Sequence, residues 1–145
     1  MGLVIDCNDM RIIGVVLFMT AAMAQAPSFQ PVGNISELMI SMIYPTSDAL
    51  FYIERTPPKN EVEWNAIRNQ ALTLAESGNL LMMAGRAKDQ GDWVKDAKML
   101  VDVGRTAYKA AQAKDMPAIL ALNDQLYASC VTCHTQYRPG FRKRP

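Results

Sequence analysis

The chain has 145 residues, of which half are hydrophobic and a fifth are charged, a balance typical of one folded domain and not of a disordered or collagen-like chain. Its formal net charge is only +1, so it lacks the general positive field that binds nucleic acid, and no nucleic-acid partner is expected.

Residues 1–26 have the features of a secretory signal peptide. Arg11 precedes an apolar run, Ile12–Ala22, and small residues around Ala24 fit the cleavage pattern of such leaders. The run is short for a membrane span. We therefore predict cleavage near Ala24 or Ala26, with an uncleaved anchor as the alternative.

The leader has an unusual beginning. Residues 1–9 carry two acids and no base, which is a poor start for a leader, so Met10 is the expected biological start. Residues 27–145 then form the folded domain. We expect that domain to be exported to the periplasm, with no stable membrane anchor after cleavage.

Four segments beyond the leader place hydrophobic residues three and four positions apart, the spacing of helices that bury one face. The first segment starts at Ile35, with Asn34 or Ser36 as N-cap. Its pattern is interrupted at Pro45 and then resumes, so we predict one helix kinked at this proline. Two adjacent prolines at positions 57–58 end it.

The other three segments have recognisable starts. The second begins at Asn60, which forms a capping-box pattern with Glu63. The third begins at about Trp93. The fourth opens with Asp115 as N-cap and with Pro117 in the first turn, where the missing N–H of proline costs nothing.

These segments together indicate the fold class. No segment alternates with a period of two, and no tandem repeat is present. Four helices of roughly 20 residues joined by short polar loops are typical of a helix bundle. We predict an all-α chain folded as an antiparallel up-down-up-down four-helix bundle.

The end of the fourth segment contains Cys130, Cys133 and His134, the only histidine of the chain, at C-x-x-C-H spacing. A structural zinc site needs four ligands, more than the exported domain offers from cysteine and histidine. A redox dithiol normally follows a strand, and no strand is predicted. C-x-x-C-H is also the attachment motif of c-type haem, and helical spacing would place all three side chains on one side.

The sequence CVTCHTQYR, near the end of a leader-bearing four-helix chain, resembles the class II c-type cytochromes, the cytochrome c prime family. Members carry an aromatic and then a basic residue after the motif, matched here by Tyr137 and Arg138. The resemblance implies one haem c bound covalently near the C-terminal helix through Cys130 and Cys133, with His134 as proximal iron ligand.

The sixth iron ligand is expected from the first helix. With one histidine, a bis-histidine centre is impossible. An up-down bundle places the end of the fourth helix beside the start of the first, so His134 and Met39 should meet, and the family draws its distal residue from this region. Met42, one turn further on, is the backup ligand. A His/Met pair belongs to the low-spin members of the family.

Two arginines are further candidates for haem binding. Family members often have an Arg-Gln pair before the distal residue, where this chain has residues 35–37, Ile-Ser-Glu. Arg86, in the loop after the second helix, is the predicted substitute that holds a propionate. Arg138, four residues after His134, is expected on the proximal side, and with Arg142 it is a candidate for steering a partner of opposite charge.

These expectations favour a periplasmic electron carrier that shuttles single electrons between redox partner proteins. The alternatives are a five-coordinate haem protein that binds NO or CO, and a structural or sensory haem bundle. No enzyme activity is expected, because a peroxidase would need a distal acid–base group such as a second histidine. Dimers recur in this family, so a homodimer is a further expectation.

Overall fold

The computed structural model describes residues 29–138, 140 and 141. The predicted signal peptide and Arg142 lie outside these residues. Within them the chain is all-helical and has no strand, and no helix is both long enough and apolar enough to cross a membrane.

The described chain folds into four helical units that pack together. The most extensive contact joins α3 and α4, and α6 packs on α4 while α2 packs on α3. The prediction of an all-α chain with four packed helices is confirmed. In chain order the elements are α1 (Ile35–Leu38), a π-helical segment (Met39–Ile43), α2 (Tyr44–Phe51), a 3-10 turn (Ile53–Arg55), α3 (Glu61–Leu81), α4 (Asp92–Gln112), α5 (Met116–Leu120) and α6 (Asn123–Tyr137).

The first unit consists of α1, the π-helical segment and α2. Its N-cap is Asn34, whose side chain accepts from the Glu37 amide at 3.0 Å while the Glu37 carboxylate accepts from the Asn34 amide at 2.8 Å. At the predicted kink the structure has a widened turn just before Pro45. The Tyr44 N–H donates to the Met39 carbonyl, five residues back, and the helix continues through Pro45.

The N-cap predictions for the later units are also confirmed, but the capping box predicted for Asn60 and Glu63 is incomplete, because the Glu63 carboxylate accepts from the Lys59 amide and not from the Asn60 backbone amide. Asn60 accepts from the Glu63 amide at 3.0 Å, and Asp115 accepts from the Ala118 amide at 2.9 Å. The prediction of one fourth helix is wrong, because α5 ends at Leu120 and α6 begins at Asn123. The residues in the turn between them favour helix, so nothing in local propensity indicates the break.

Helices α3 and α4 approach closely because two glycines lie between them. A Cβ added at Gly104 would lie 2.9 Å from the Cα atom of Ala75, and one added at Gly78 would lie 2.6 Å from a methyl group of Val101. The Cα atom of Ala75 belongs to the backbone of a packed helix, so it cannot move away from an added Cβ as a side chain can. The methyl group of Val101 is the end of a side chain.

Gly104→Ala is therefore expected to lower the free energy of unfolding by about 1–3 kcal/mol, the usual cost of overpacking, measured by urea denaturation. Gly78→Ala should also destabilise. Its loss should be recovered only in part in combination with Val101→Ala, because the added Cβ would still lie 3.1 Å from the Ala97 carbonyl oxygen, and the double-mutant cycle should show a coupling. A Gly104→Ala protein as stable as the parent would contradict this description of the helix contact.

Candidate functional site

A cavity of about 920 Å³ opens between the first helical unit and the C-terminal helix α6. This volume lies near the upper end of the range for small-molecule and cofactor sites. Residues 35–52 form one wall and residues 127–138 form another, with Trp93 of α4 between them. The apolar and aromatic residues of the lining include Met39, Ile43, Phe51, Trp93, Tyr127 and Phe141.

Most of the site residues predicted from the sequence meet at this cavity. Cys130, Cys133, His134 and Arg138 line it from the C-terminal side, and Met39 lines it from the first helical unit. Both Cys130 and Cys133 are unbridged thiols. The structure therefore brings together the C-x-x-C-H motif and the predicted distal residue.

The two cysteines and the histidine occupy one side of α6 because they are spaced three and four residues apart. Burial raises the pKa of the Cys130 thiol. The pKa of Cys133 rises to about 11, through burial first and then through the charge of Asp96. Both side chains are therefore neutral thiols at neutral pH, without the thiolate character of a redox-active dithiol.

His134 is held in the state in which imidazole binds a metal. Burial lowers its pKa, and the positive charge of Arg138 acts in the same direction, so the ring is neutral at pH 7 and keeps a free lone pair. The Phe141 ring meets the imidazole edge-on, with a centroid distance of 5.2 Å. Arg138 lies close enough for its charge to act on His134, and its influence on the proximal side of a haem stays a prediction.

A clamp holds the end of α6 against the loop between α3 and α4. The Tyr137 hydroxyl donates to the Asp89 carboxylate, which also accepts from the amides of Gly91 at 2.8 Å and Trp93 at 3.1 Å. The Tyr137 ring meets the Trp93 indole edge-on at 5.0 Å. The hydrogen bond from Tyr137 lowers the pKa of Asp89. This clamp fixes the helix turn that carries His134.

The structure also separates the two candidate distal methionines. Met39 begins the π-helical segment and lines the cavity. Met42 does not line the cavity but packs against the hydrophobic core. Met39 also packs against the core, but of the two methionines only Met39 lines the cavity.

Arg86 lies in the predicted loop, between α3 and α4, but its side chain is turned to other partners than a group in the cavity. It does not line the cavity and is only 7% exposed. Its guanidinium donates to the Gly33 carbonyl at 2.9 Å and to the Leu80 carbonyl at 3.3 Å. The prediction that Arg86 holds a propionate has no support in this geometry, because its donors are engaged by backbone. Arg86 instead ties the loop after α3 to the chain preceding α1.

A buried acid that was not predicted from the sequence lies near the motif. Asp96 on α4 is 3% exposed, and its Oδ2 atom has no hydrogen-bond partner among the described residues. Burial raises the pKa of Asp96, and the nearby charge of Asp92 raises it further. No local pattern distinguishes this aspartate from a solvent-exposed helix residue, and its charge acts on the pKa of Cys133 in the motif.

The residues at the cavity fit a haem group by their chemistry. They supply two thiols, one neutral imidazole and one thioether in a large, mostly apolar space. In the described part of the chain, no cluster of three or more His, Cys, Asp or Glu side chains is arranged to hold a metal ion by itself. No known protein family, curated protein or solved structure significantly matches the chain.

Proposed function

We propose that this chain is an exported c-type cytochrome that carries single electrons between redox partner proteins. One haem c is bound covalently through Cys130 and Cys133, with His134 and Met39 as the axial iron ligands. The antiparallel up-down order of the four helices and the periplasmic location belong to the same proposal.

One observation carries this proposal. Met39 and the motif residues Cys130, Cys133 and His134 are far apart in the sequence, yet they line the same cavity. The motif alone accounts for attachment and for one axial ligand. The thioether of Met39, supplied to the same cavity by the first helical unit, supports the His/Met centre of an electron carrier.

The chain's own residues would hold and tune the group. When bound, haem supplies a one-electron iron couple. Burial and the charge of Arg138 keep His134 neutral, and the Tyr137–Asp89 clamp fixes its helix turn. Apolar walls limit the access of water, and a thioether ligand favours ferrous iron, which raises the reduction potential.

Visible and EPR spectra of the purified holoprotein test the proposal. We expect a low-spin ferric signal together with a Met-to-iron charge-transfer band. A high-spin ferric signal without that band would contradict the electron-carrier assignment, and it would favour the five-coordinate alternative that binds NO or CO.

A further inference from the structure

The cavity wall formed by the first helical unit has an unusual period. Its lining residues come as neighbouring pairs that recur every four residues, namely Ile35 and Ser36, Met39 and Ile40, Ile43 and Tyr44, Ser47 and Asp48, and Phe51 and Tyr52. An α-helix turns about 100° per residue, so Phe51 would point roughly 160° away from Ile35. Both residues nevertheless line the same cavity, which agrees with the π-helical segment that lies between them.

The wide turn lies in the π-helical segment Met39–Ile43. The Met39 N–H donates to the carbonyl of Ile35, four residues back as in an α-helix, and to that of Ser36, three residues back. The Met39 carbonyl, in contrast, accepts from the Tyr44 N–H, five residues further on, which is the hydrogen bond of a π-helix. Leu38 and Ile43, which flank the wide turn, are 5% and 6% exposed. The core therefore anchors the chain at both ends of this turn. The conformation of the turn then determines where the Met39 side chain lies.

Pro45 accounts for the wide turn. Proline has no N–H to donate to the carbonyl four residues back, and in a regular α-helix its ring would collide with that carbonyl, here Ser41. Widening the preceding turn relieves the collision, and π-turns often occur for such reasons at functional sites. Thr46 supports the arrangement, since its hydroxyl donates to the Met42 carbonyl at 2.6 Å.

We propose that Pro45 is a positioning residue for the distal ligand. It holds residues 39–43 in the π-helical form and thereby keeps Met39 on the wall of the cavity that His134 also lines. This inference rests on the proposed function, in which Met39 is the sixth iron ligand.

Replacing Pro45 by alanine in the full-length holoprotein tests the inference. An α-helical turn can then form, which rotates Met39 away from its place on the cavity wall. We expect the ferric Met-to-iron band to lose most of its intensity and added imidazole to bind the iron about tenfold more tightly, because the competing thioether is weaker. The matched control is Pro117→Ala, a proline in the first turn of α5. This control should keep the band and the imidazole affinity of the parent.

Two results would overturn the inference, and they are distinguishable. If Met39→Ala abolishes the band while Pro45→Ala leaves the band and the imidazole affinity unchanged, Met39 is the ligand and Pro45 does not position it. If Met39→Ala itself changes nothing, the proposed ligand is wrong and the inference fails together with the proposed function.

Discussion

Replacing Met39 by alanine is expected to convert the low-spin iron of the holoprotein to a high-spin, five-coordinate state. The change removes the thioether that the first helical unit supplies to the cavity without altering the cysteines or His134. We expect the Met-to-iron band to disappear and the reduction potential to fall by on the order of 100 mV, since the axial ligand sets much of this potential. EPR spectroscopy and potentiometric titration measure both effects.

The matched control is Met42→Ala, which deletes the same side chain three residues further along. Met42 packs against the core and not against the cavity, so this variant should lose stability and keep the spectrum. Loss of the band in the Met42 variant, with an unchanged Met39 variant, would identify the backup residue as the ligand.

Arg86→Met is expected to lower the free energy of unfolding by about 2–4 kcal/mol. The substitution keeps an unbranched side chain but removes the donors to the carbonyls of Gly33 and Leu80, and hydrogen bonds from charged groups are among the stronger ones. Urea denaturation measures the loss. Arg68→Met is the control, because Arg68 makes only a surface ion pair with Glu61 at 3.5 Å and should change stability little.

The same Arg86 variant distinguishes a structural role from a role in haem binding. Because Arg86 does not line the cavity, the reduction potential of Arg86→Met should remain that of the parent. A shift in potential without a loss of stability would contradict the structural role and restore Arg86 as the residue that holds a propionate.

The parts of the fold that could be predicted are those with local causes. Asn60 and Asp115 cap their helices through bonds to amides three residues away, and such spacing is visible in the sequence. The π-helical turn before Pro45 was not predicted, because proline is compatible with a kink, a break or a wide turn. Pro45 disfavours a regular α-helical turn, and the core contacts of Leu38 and Ile43 then favour the wide turn over a kink or a break.

The predictability of the site follows the same division. Cys130, Cys133 and His134 belong to a contiguous motif, and Met39 followed from bundle topology. The partners of Arg86 could not be predicted, because the shortest of its hydrogen bonds joins it to a carbonyl 53 residues away, in a segment without periodic structure. The partner of Tyr137, Asp89, is 48 residues away, and no spacing rule connects the two.

The mass of the purified protein under denaturing conditions tests the central claim most directly. If haem is attached through two thioether bonds, the unfolded chain retains the mass and the absorbance of one haem, and Cys130→Ala combined with Cys133→Ala loses both. An unfolded parent chain that carries no haem, or a double cysteine variant that still retains it after denaturation, would contradict the account.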